Sequence, residues 1–514
     1  MNTDFRFGRR GFLVGAAAFV GTAALPRAAA AQDGRLLRIG LSAYPQNLSP
    51  WLYLGTAAES VKQQSFRGLL SYAGDASFRP EVAESWSQEA DNVYVFRIRE
   101  NAVFHNGDPV TAEEVKFSFE SIAKPDSGAA LRTAFARIES MEAVDEKTLR
   151  IVLPSADATF LGTLASYDSP IVSRRSLEEN PEAPVGCGPY VVTGSERGSW
   201  IELEAFPDYY RPGYPKSKTL RFIAYTDENA RTSALLSGDV ELIDYVPAFS
   251  MQSIRDNPDL TLDAVEGPAT LVMFNCKEGP FVDPRVRRAV GYAIDRQAVI
   301  DGAFAGEAVK AGPLPISRAS EFYDPSIEDY FERDLDRARA LLAEAGHPNG
   351  FKTTLLATSQ YSVHRDPAIV IQQSLVEIGI EVDLNLPDWA TRIQLGNAGQ
   401  YHISVTATGF DNNDPSALTS LLSSTVPDSF SRPFGYKNET IDRLLAESVA
   451  EVDPARRKEI FAELGKVHVE DPAALSVVFR NQAYAWSNTV RGFRNVPGFA
   501  SFNSGITIED VEFV

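Results

Sequence analysis

The sequence is poor in cysteine, methionine and histidine, with two, four and five residues among 514. Two cysteines exclude a disulfide-rich scaffold. The five histidines are scattered, which gives no local support for a metal site. Basic residues are also in the minority, because 49 Lys and Arg stand against 69 Asp and Glu, for a net charge of −20 and a pI of about 4.8. Such an acidic surface repels phosphate backbones and anionic lipid, so we expect no nucleic-acid or membrane-surface partner.

Common enzyme motifs are absent as well. The sequence has no H-E-x-x-H, no G-x-S-x-G, no G-x-x-x-x-G-K-[ST], and no G-x-G-x-x-G that opens a helix. A catalytic triad can assemble from distant residues, so a secreted hydrolase with a non-local catalytic set stays open as an alternative. We expect a protein that is not an enzyme and that needs neither a cofactor nor a metal.

The remaining composition, with 44% hydrophobic and 10% aromatic residues, is typical of a globular chain of two or three lobes. Thr111 followed by Glu114 predicts a helix start, as does the pair Asp283-Pro284. Gly346 is expected to end a third helix. Strands are predicted at Val93–Arg99, Trp200–Phe206, Leu271–Asn275 and Ile403–Ala407. Strands mixed with amphipathic helices indicate an α/β fold.

The N-terminus has the pattern of an export signal. Arg9-Arg10 precede an apolar run, Phe12–Leu25, and four alanines end at Ala31. This run is too short to span a bilayer stably, and residues 1–31 are expected to be a twin-arginine-type signal peptide, with a general-secretion signal as the alternative. The exported chain then begins near Gln32. With no cysteine at that point we expect no lipid anchor, and no later run approaches about 18 apolar residues.

Several short motifs follow one another along the chain. They are Arg79–Trp86, Tyr94–Arg99, Val103–Val115, Gly186–Tyr190, Asn275–Phe281, Val286–Asp295, Ala338–Gly346 and Gly435–Leu445. In order and spacing they resemble the large periplasmic solute-binding proteins of ABC importers, family 5, which include dipeptide and oligopeptide binders. Cys187 and Cys276 stand where the family more often has threonine. We expect them at interior strand positions, as two free thiols and not one disulfide.

The resemblance implies a two-lobe, hinged periplasmic binding protein fold of the α/β class, with an extra subdomain inserted in the first lobe. The ligand is then enclosed between the lobes on closure. The implied boundaries are 32–72, 184–272 and 480–514 for lobe I, 73–183 for the inserted subdomain and 273–479 for the second ligand-binding lobe. The implied partner is a membrane permease with separate ATPase subunits, and the protein is expected to be a soluble periplasmic monomer.

The resemblance also implies site residues. In peptide-binding relatives the aspartate at the position of Asp411 pairs with the ligand's α-ammonium, and a desolvated carboxylate suits that role. The backbone at Thr408, Gly409 and Phe410 is expected to pair with the ligand main chain. The alternative for Asp411 is a turn-capping role beside Asn412.

Three further residues are weaker candidates. Trp389 matches a pocket-lining tryptophan, with a core aromatic as the alternative. Arg365 matches an arginine that holds a ligand carboxylate, unless Asp366 absorbs its charge. Tyr44 matches a segment lining the cleft, and Asn275 is expected at the hinge.

The resemblance identifies the scaffold and leaves the ligand open. Di- or oligopeptides are the main hypothesis, and the same scaffold carries opines, oligosaccharides, nickel complexes and other small solutes. A receptor-like binder that presents its ligand to a sensor is a further alternative.

Overall fold

A computed structural model describes residues 35–52, 55–407 and 413–514, so the predicted signal peptide lies outside the described residues. The helices are α1 (Thr56–Ser65), α2 (Ala112–Ala123), α3 (Arg132–Ala136), α4 (Phe160–Ala165), α5 (Arg174–Glu179), α6 (Glu228–Ser237), α7 (Ala248–Arg255), α8 (Pro284–Ala293), α9 (Arg296–Phe304), α10 (Leu335–Glu344), α11 (Ser362–Val376), α12 (Trp389–Asn397), α13 (Leu418–Leu422), α14 (Glu439–Ala450) and α15 (Pro454–Glu470).

The strands are β1 (Leu36–Leu41), β2 (Leu70–Tyr72), β3 (Phe78–Pro80), β4 (Ala83–Ala90), β5 (Val93–Ile98), β6 (Ser140–Asp145), β7 (Thr148–Val152), β8 (Tyr190–Glu196), β9 (Trp200–Ala205), β10 (Thr219–Ala224), β11 (Leu242–Ile243), β12 (Leu260–Phe274), β13 (Ala308–Lys310), β14 (Phe351–Leu356), β15 (Ile380–Asn385), β16 (Ile403–Thr406), β17 (Ala474–Ser487), β18 (Val490–Arg491) and β19 (Glu512–Phe513).

One continuous sheet runs through the molecule in the order β15-β14-β16-β12-β17-β11-β1-β10-β9-β8, with β13 added on β17. We call the part around β1 and β8–β11 lobe I and the part around β14–β16 lobe II. The long antiparallel strands β12 and β17 belong to both, because one end of β17 pairs with β11 and the other end of β12 pairs with β16. The register between them shifts at Glu266/Ala269, at the passage from one lobe to the other.

Each part of the molecule buries its own apolar core. The lobe I core gathers Leu37, Ile39, Leu203 and Phe222, and the main lobe II core gathers Val286, Val290, Leu355 and Ile371. A separate four-stranded sheet, β4-β5-β7-β6, packs with α2 over a third core that includes Phe96 and Phe119. Separate cores linked by two strands allow the lobes to move against each other without opening any core.

The local predictions agree with these elements. Helix α2 begins with the Thr111 hydroxyl accepting from the backbone amide of Glu114 at 3.2 Å. Helix α8 begins with Asp283 accepting from the amide of Arg285 at 2.8 Å, and Gly346 follows α10 with a φ of +87°. The predicted strands correspond to β5, β9, the end of β12 and β16, to within a residue at each shared end. Among the described residues no helix is long and apolar enough to cross a membrane.

The prediction that both cysteines occupy strands is wrong. Both are free thiols, but Cys187 lies in the segment before β8 and Cys276 lies just after β12. The backbone carbonyl of Arg67 is 4.0 Å from the Cys187 sulfur, and burial raises the pKa of this thiol to about 12. Cys187 is fully buried in the core that includes Phe96 and Phe119, where it packs as a small apolar side chain.

A buried ionic network joins three distant parts of the chain. Glu509 accepts from Arg67 and Arg79 at 3.1 Å each, from the Tyr209 hydroxyl at 2.9 Å, and from Arg211. Glu81 lies in the same network, where the neighbouring arginines hold its pKa at about 2 despite complete burial. The C-terminal segment is thereby connected to the segment around β2 and β3 and to the loop after β9.

We expect Glu509→Gln to lower the free energy of unfolding by about 3–5 kcal/mol, because removing one partner leaves buried guanidinium charges uncompensated. Urea denaturation followed by circular dichroism measures this. Glu512→Gln is the matched control, since its pair with Arg491 is exposed and should cost less than about 1 kcal/mol. Equal losses in the two variants would show that the network does not stabilise the fold.

Candidate functional site

The candidate site lies where the two lobes face each other. In lobe I, β1 runs parallel to β10 and β11, so the residues that follow these strands meet at one edge. In lobe II, β14 runs parallel to β15 and β16 and produces a second such edge. Ligands of open α/β sheets bind at the carboxyl ends of parallel strands, and here two of these edges form one cleft.

The lobe I wall is built around Asp244, which directly follows β11. Its Oδ2 accepts from the Ser42 hydroxyl at 3.0 Å, and its Oδ1 is 3.4 Å from the Arg231 Nε. Burial outweighs both interactions and raises the pKa of Asp244 to about 6. A carboxylate in this environment is poised to accept a positively charged or hydrogen-bond-donating group.

Arg231, on α6, also shapes the backbone of this wall. It donates to the carbonyls of Asp244, Tyr225 and Tyr245 at 3.0, 2.8 and 2.8 Å. Tyr245 has a φ of +44°, a conformation that residues other than glycine rarely adopt. The hydrogen bond from Arg231 holds the carbonyl of Tyr245 in place and thereby supports this strained turn at the edge of the cleft.

The lobe II wall is aromatic. The Trp389 ring lies 5.5 Å from the ring of Tyr361, 5.3 Å from His364 and 5.9 Å from Phe430, and the Arg392 guanidinium lies 5.4 Å from its centroid. These residues come from the start of α11, from α12 and from the loop before α14. Aromatic walls suit solutes that combine apolar and polar parts.

His364 connects this wall to the end of β16. Its Nδ1 accepts from the backbone amide of Ala407 at 3.2 Å. Burial holds the pKa of His364 well below its ordinary value, and the charges of Arg392 and Arg480 add to this effect. The ring is therefore neutral and serves as an acceptor that positions the segment leading into residues 408–412.

The two lobes touch across the cleft. The Ser362 hydroxyl of lobe II donates to Glu228 of lobe I at 3.1 Å. Asn413 donates to the carbonyl of Pro497 at 3.0 Å and accepts from the amide of Ala500 at 3.1 Å. Burial between the lobes, with Tyr245 and Asp244 nearby, raises the pKa of Tyr361 to about 12. The described arrangement is thus one in which the cleft is covered.

A groove of about 570 Å³ lies on the face of β17 opposite to the cleft with Asp244 and Trp389. It is lined by residues of both lobes, among them Glu266, Phe322, Asn413, Phe479 and Phe499. Its two sides meet at Asn413, directly after residues 408–412.

The structure describes some of the predicted site residues and not others. Thr408, Gly409, Phe410 and Asp411 lie outside the described residues. Of the described residues next to them in the sequence, Ala407 donates to His364 and Asn413 donates to the carbonyl of Pro497. Trp389 lies in the lobe II wall.

Two further candidates, Arg365 and Tyr44, have other contacts in the structure. Arg365 is 41% exposed and forms an ion pair with Asp366 at 2.7 Å, which is the alternative stated for it. Tyr44 is half-buried and packs against the lobe I core. Asn275, expected at the hinge, donates to the carbonyls of Gly399 and Tyr401 inside lobe II.

Sequence analysis missed Arg231, Asp244, Tyr361, His364 and Arg480. Two of them carry a signal that could have been found. Asp244 directly follows a short apolar strand, and Arg480 is a charged residue within an otherwise mostly apolar strand. Arginine and aspartate are seldom fully buried without a partner, so such positions indicate an internal polar site.

Comparisons with known proteins identify the scaffold. Residues 77–430 match the family described as bacterial extracellular solute-binding proteins, family 5 Middle. The chain is 27% identical over 483 residues to the glutathione-binding protein GsiB of Escherichia coli K12, covering 90% of this chain and 92% of GsiB.

Two solved structures agree. The binding protein AgaA of A. tumefaciens R10, in complex with agropinic acid, shares 36% identity and a TM-score of 0.88 over 93% of this chain and 99% of AgaA. DppA of Helicobacter pylori, in complex with the peptide STSA, has the same fold at 24% identity and a TM-score of 0.83, over 94% of this chain and 98% of DppA.

The chain therefore belongs to family 5 of the bacterial extracellular solute-binding proteins. It is a solute-binding protein of an ABC importer with the two-lobe periplasmic binding protein fold, as the motifs predict. Proteins of this family deliver their ligands to ABC permeases.

The raised pKa of Asp244 predicts that the stability of the folded protein depends on pH. Because its pKa is about 6 in the folded protein and about 3.9 in an unfolded chain, the folded state holds the proton more tightly between these values. Stability contributed by this group is therefore present at pH 4 and is lost as the pH rises through 6, by up to about 3 kcal/mol. We expect Asp244→Asn to gain stability relative to wild type over this range.

Thermal or urea unfolding of the ligand-free protein from pH 4 to 7 measures the difference. Ser42→Ala is the matched control, since it removes a hydrogen bond to Asp244 and keeps the carboxylate. Its free energy of unfolding should therefore still fall relative to that of Asp244→Asn as the pH rises, as the wild-type value does. Parallel curves for wild type and Asp244→Asn would contradict the assignment.

Proposed function

We propose that this protein captures small amino-acid-derived solutes, opines or di- and oligopeptides, in the cleft between its lobes and delivers them to a membrane permease. The observation that carries the proposal is the covered cleft. Its walls come from both lobes and combine a buried carboxylate, Asp244, with an aromatic surface around Trp389. A solute with charged ends and an apolar body complements such walls.

The named ligands of the relatives support this class. GsiB is named for glutathione, a tripeptide, and AgaA was solved with agropinic acid, an opine. Both ligands are built from amino acids and carry carboxylates. The AgaA comparison has the greater weight for ligand class, because 36% identity over nearly the whole chain preserves more of a cleft than 27% does.

Binding and transport are coupled by closure. The contacts Ser362–Glu228 and Asn413–Pro497 exist only when the lobes meet, and a solute that fills the cleft adds contacts to both walls. A ligand that binds the covered form better shifts the population toward it. The permease then distinguishes loaded from empty protein by its shape, with energy supplied by separate ATPase subunits.

Asp411 remains the proposed partner for the solute's ammonium group. The nearest described residues on either side of it in the sequence are Ala407, which donates to His364, and Asn413, which donates to the carbonyl of Pro497. Thr408, Gly409 and Phe410 are proposed to line the same side of the solute.

A thermal-shift screen of the exported protein tests the ligand class. Opines and free peptides at a hundred times their dissociation constant should stabilise the fold by about 2.7 kcal/mol. Asp411→Ala should lose the response to free peptides, whereas wild type should respond poorly to the N-acetylated forms. If only an oligosaccharide or a nickel complex stabilises the wild type, the ligand class is wrong and the family assignment stands. Recovery of the solute unchanged after binding distinguishes a binding protein from a hydrolase.

We also propose that the chain is exported to the periplasm by the twin-arginine route, without a lipid anchor, and acts there as a monomer. Replacing Arg9 and Arg10 together by lysine should leave the precursor inside the cell, because the paired arginines are the signal that the route reads. Cell fractionation measures this, and Arg6→Lys is the control. Normal export of the double variant would instead indicate general secretion.

A further inference from the structure

Arg480 is a buried arginine without a counter-ion among the residues that the structure describes. It lies on β17, where this strand passes between the lobes, and its side chain is almost entirely buried. Its Nη1 donates to the side chain of Gln482 at 2.6 Å, whereas its Nε and Nη2 have no hydrogen-bond partner. Removing a cation from water without a partner is costly, so this arrangement calls for an explanation.

Two other buried arginines, Arg457 and Arg296, are more fully satisfied. Arg457 binds Asp414 through two nitrogens, at 2.9 and 2.6 Å, and donates to the carbonyl of Ser448. Arg296 has no counter-ion, but it donates to three backbone carbonyls. Arg480 differs from both, because one whole edge of its guanidinium is unused.

The Arg480 guanidinium is surrounded by groups of the cleft, and the Tyr245 side chain interacts with it. The Arg480 guanidinium lies 5.4 Å from the ring centroid of Tyr245 in lobe I. From the lobe II side it is close enough to lower the pKa of His364. Glu228 is the nearby carboxylate, beyond salt-bridge distance, and it already accepts from Ser362. The guanidinium is thus set between the two walls described above.

Two neighbours on the same strand extend this edge. Gln482 and Tyr484 follow Arg480 at intervals of two residues, so their side chains leave β17 on the same face. The Gln482 Nε2 and the Tyr484 hydroxyl are also buried and accept or donate no hydrogen bond within 3.5 Å, although the Ser504 side chain interacts with Tyr484. Along this strand face the Arg480 Nε and Nη2, the Gln482 Nε2 and the Tyr484 hydroxyl are therefore aligned as donors with unused hydrogen-bonding capacity.

We propose that Arg480, with Gln482 and Tyr484 beside it, forms the subsite that binds a carboxylate of the captured solute. This inference rests on the proposed function and narrows it, because the solute must be an acid. The Nε–H and Nη2–H of a guanidinium are parallel, which matches the two oxygens of a carboxylate. One bound carboxylate would supply the missing counter-ion and acceptors for the neighbouring donors at the same time.

In this proposal the ligand carboxylate is bound by Arg480 and not by Arg365. That guanidinium is exposed and paired with Asp366, so it has less to gain from a ligand carboxylate. Arg480 is desolvated in advance, and a desolvated charge discriminates strongly between an acid and its neutral ester. Opines and peptides with a free carboxylate fit, whereas neutral sugars leave the guanidinium unpaired.

Calorimetric titration of the full exported protein with glutathione, agropinic acid and their methyl esters tests the subsite. Wild type should bind the acid that it recognises about a hundredfold more tightly than the ester lacking the recognised carboxylate. Arg480→Gln should bind that acid about a hundredfold more weakly and no longer distinguish it from the ester. Arg480→Lys, which keeps a cation without the parallel pair of donors, should fall between.

A second readout separates this role from a structural one. Without ligand, Arg480→Gln should melt at or above the wild-type temperature, because an unpaired buried charge is removed. Arg296→Gln is the matched control and should melt lower, since three buried carbonyls lose their donor.

The outcomes are distinguishable. If wild type binds an acid and Arg480→Gln binds it equally well, or if the ester binds like the acid, the subsite is wrong and the proposed function stands. If the variant melts lower while its affinity is unchanged, Arg480 is structural. If wild type binds neither acid but binds a neutral sugar, both the subsite and the proposed ligand class are wrong.

Discussion

The antiparallel pairing of β12 with β17 is the constraint on which the rest of the structure depends. These two strands are shared by both lobes, and the register shift at Glu266/Ala269 lies at the passage between them. Every other strand of the large sheet belongs to one lobe or the other, apart from β13 on the side of β17. A hinge made of two paired strands keeps the lobes aligned while allowing rotation, because the hydrogen-bonded ladder resists sliding more than bending.

The same strands bring the hinge and the cleft together. Arg480 extends from β17 toward the cleft, whereas its neighbour Phe479 faces the opposite groove. A carboxylate on Arg480 would therefore bind at the axis about which the lobes turn. Because residues near this axis would move little when the lobes rotate, the contact with Arg480 would persist. The contact between Glu228 and Ser362, which joins the two lobes, would form and break.

Buried charge is used in two different ways in this acidic protein. In the network of Glu509, Glu81 and three arginines, opposite charges satisfy one another and join distant segments. In the cleft, Asp244 and Arg480 are incompletely satisfied, since Asp244 Oδ1 and two nitrogens of Arg480 lack hydrogen bonds. The first arrangement stabilises the fold. The second leaves polar groups unsatisfied, and we propose that a bound solute satisfies them.

Local elements could be predicted from the sequence because their causes are local. The caps at Thr111 and Asp283 and the alternation of strands such as β5 depend on residues only a few positions apart. The strand prediction for Cys187 and Cys276 was wrong because burial alone does not distinguish a strand from an irregular segment beside it. Motif order identified the scaffold, since those motifs specify turns and helix faces that the whole family shares.

The sequence by itself thus determined the fold class, the family and the stretch of chain around residue 411 as a site candidate. The tertiary structure decided which side chains meet. Arg231 contacts Asp244 and Tyr361 approaches Tyr245 because strand ends from different lobes converge, and no spacing along the chain encodes that convergence. Only the tertiary structure likewise shows that Arg480 lacks hydrogen-bond partners. A buried donor can be recognised as unsatisfied only when the positions of all its neighbours are known.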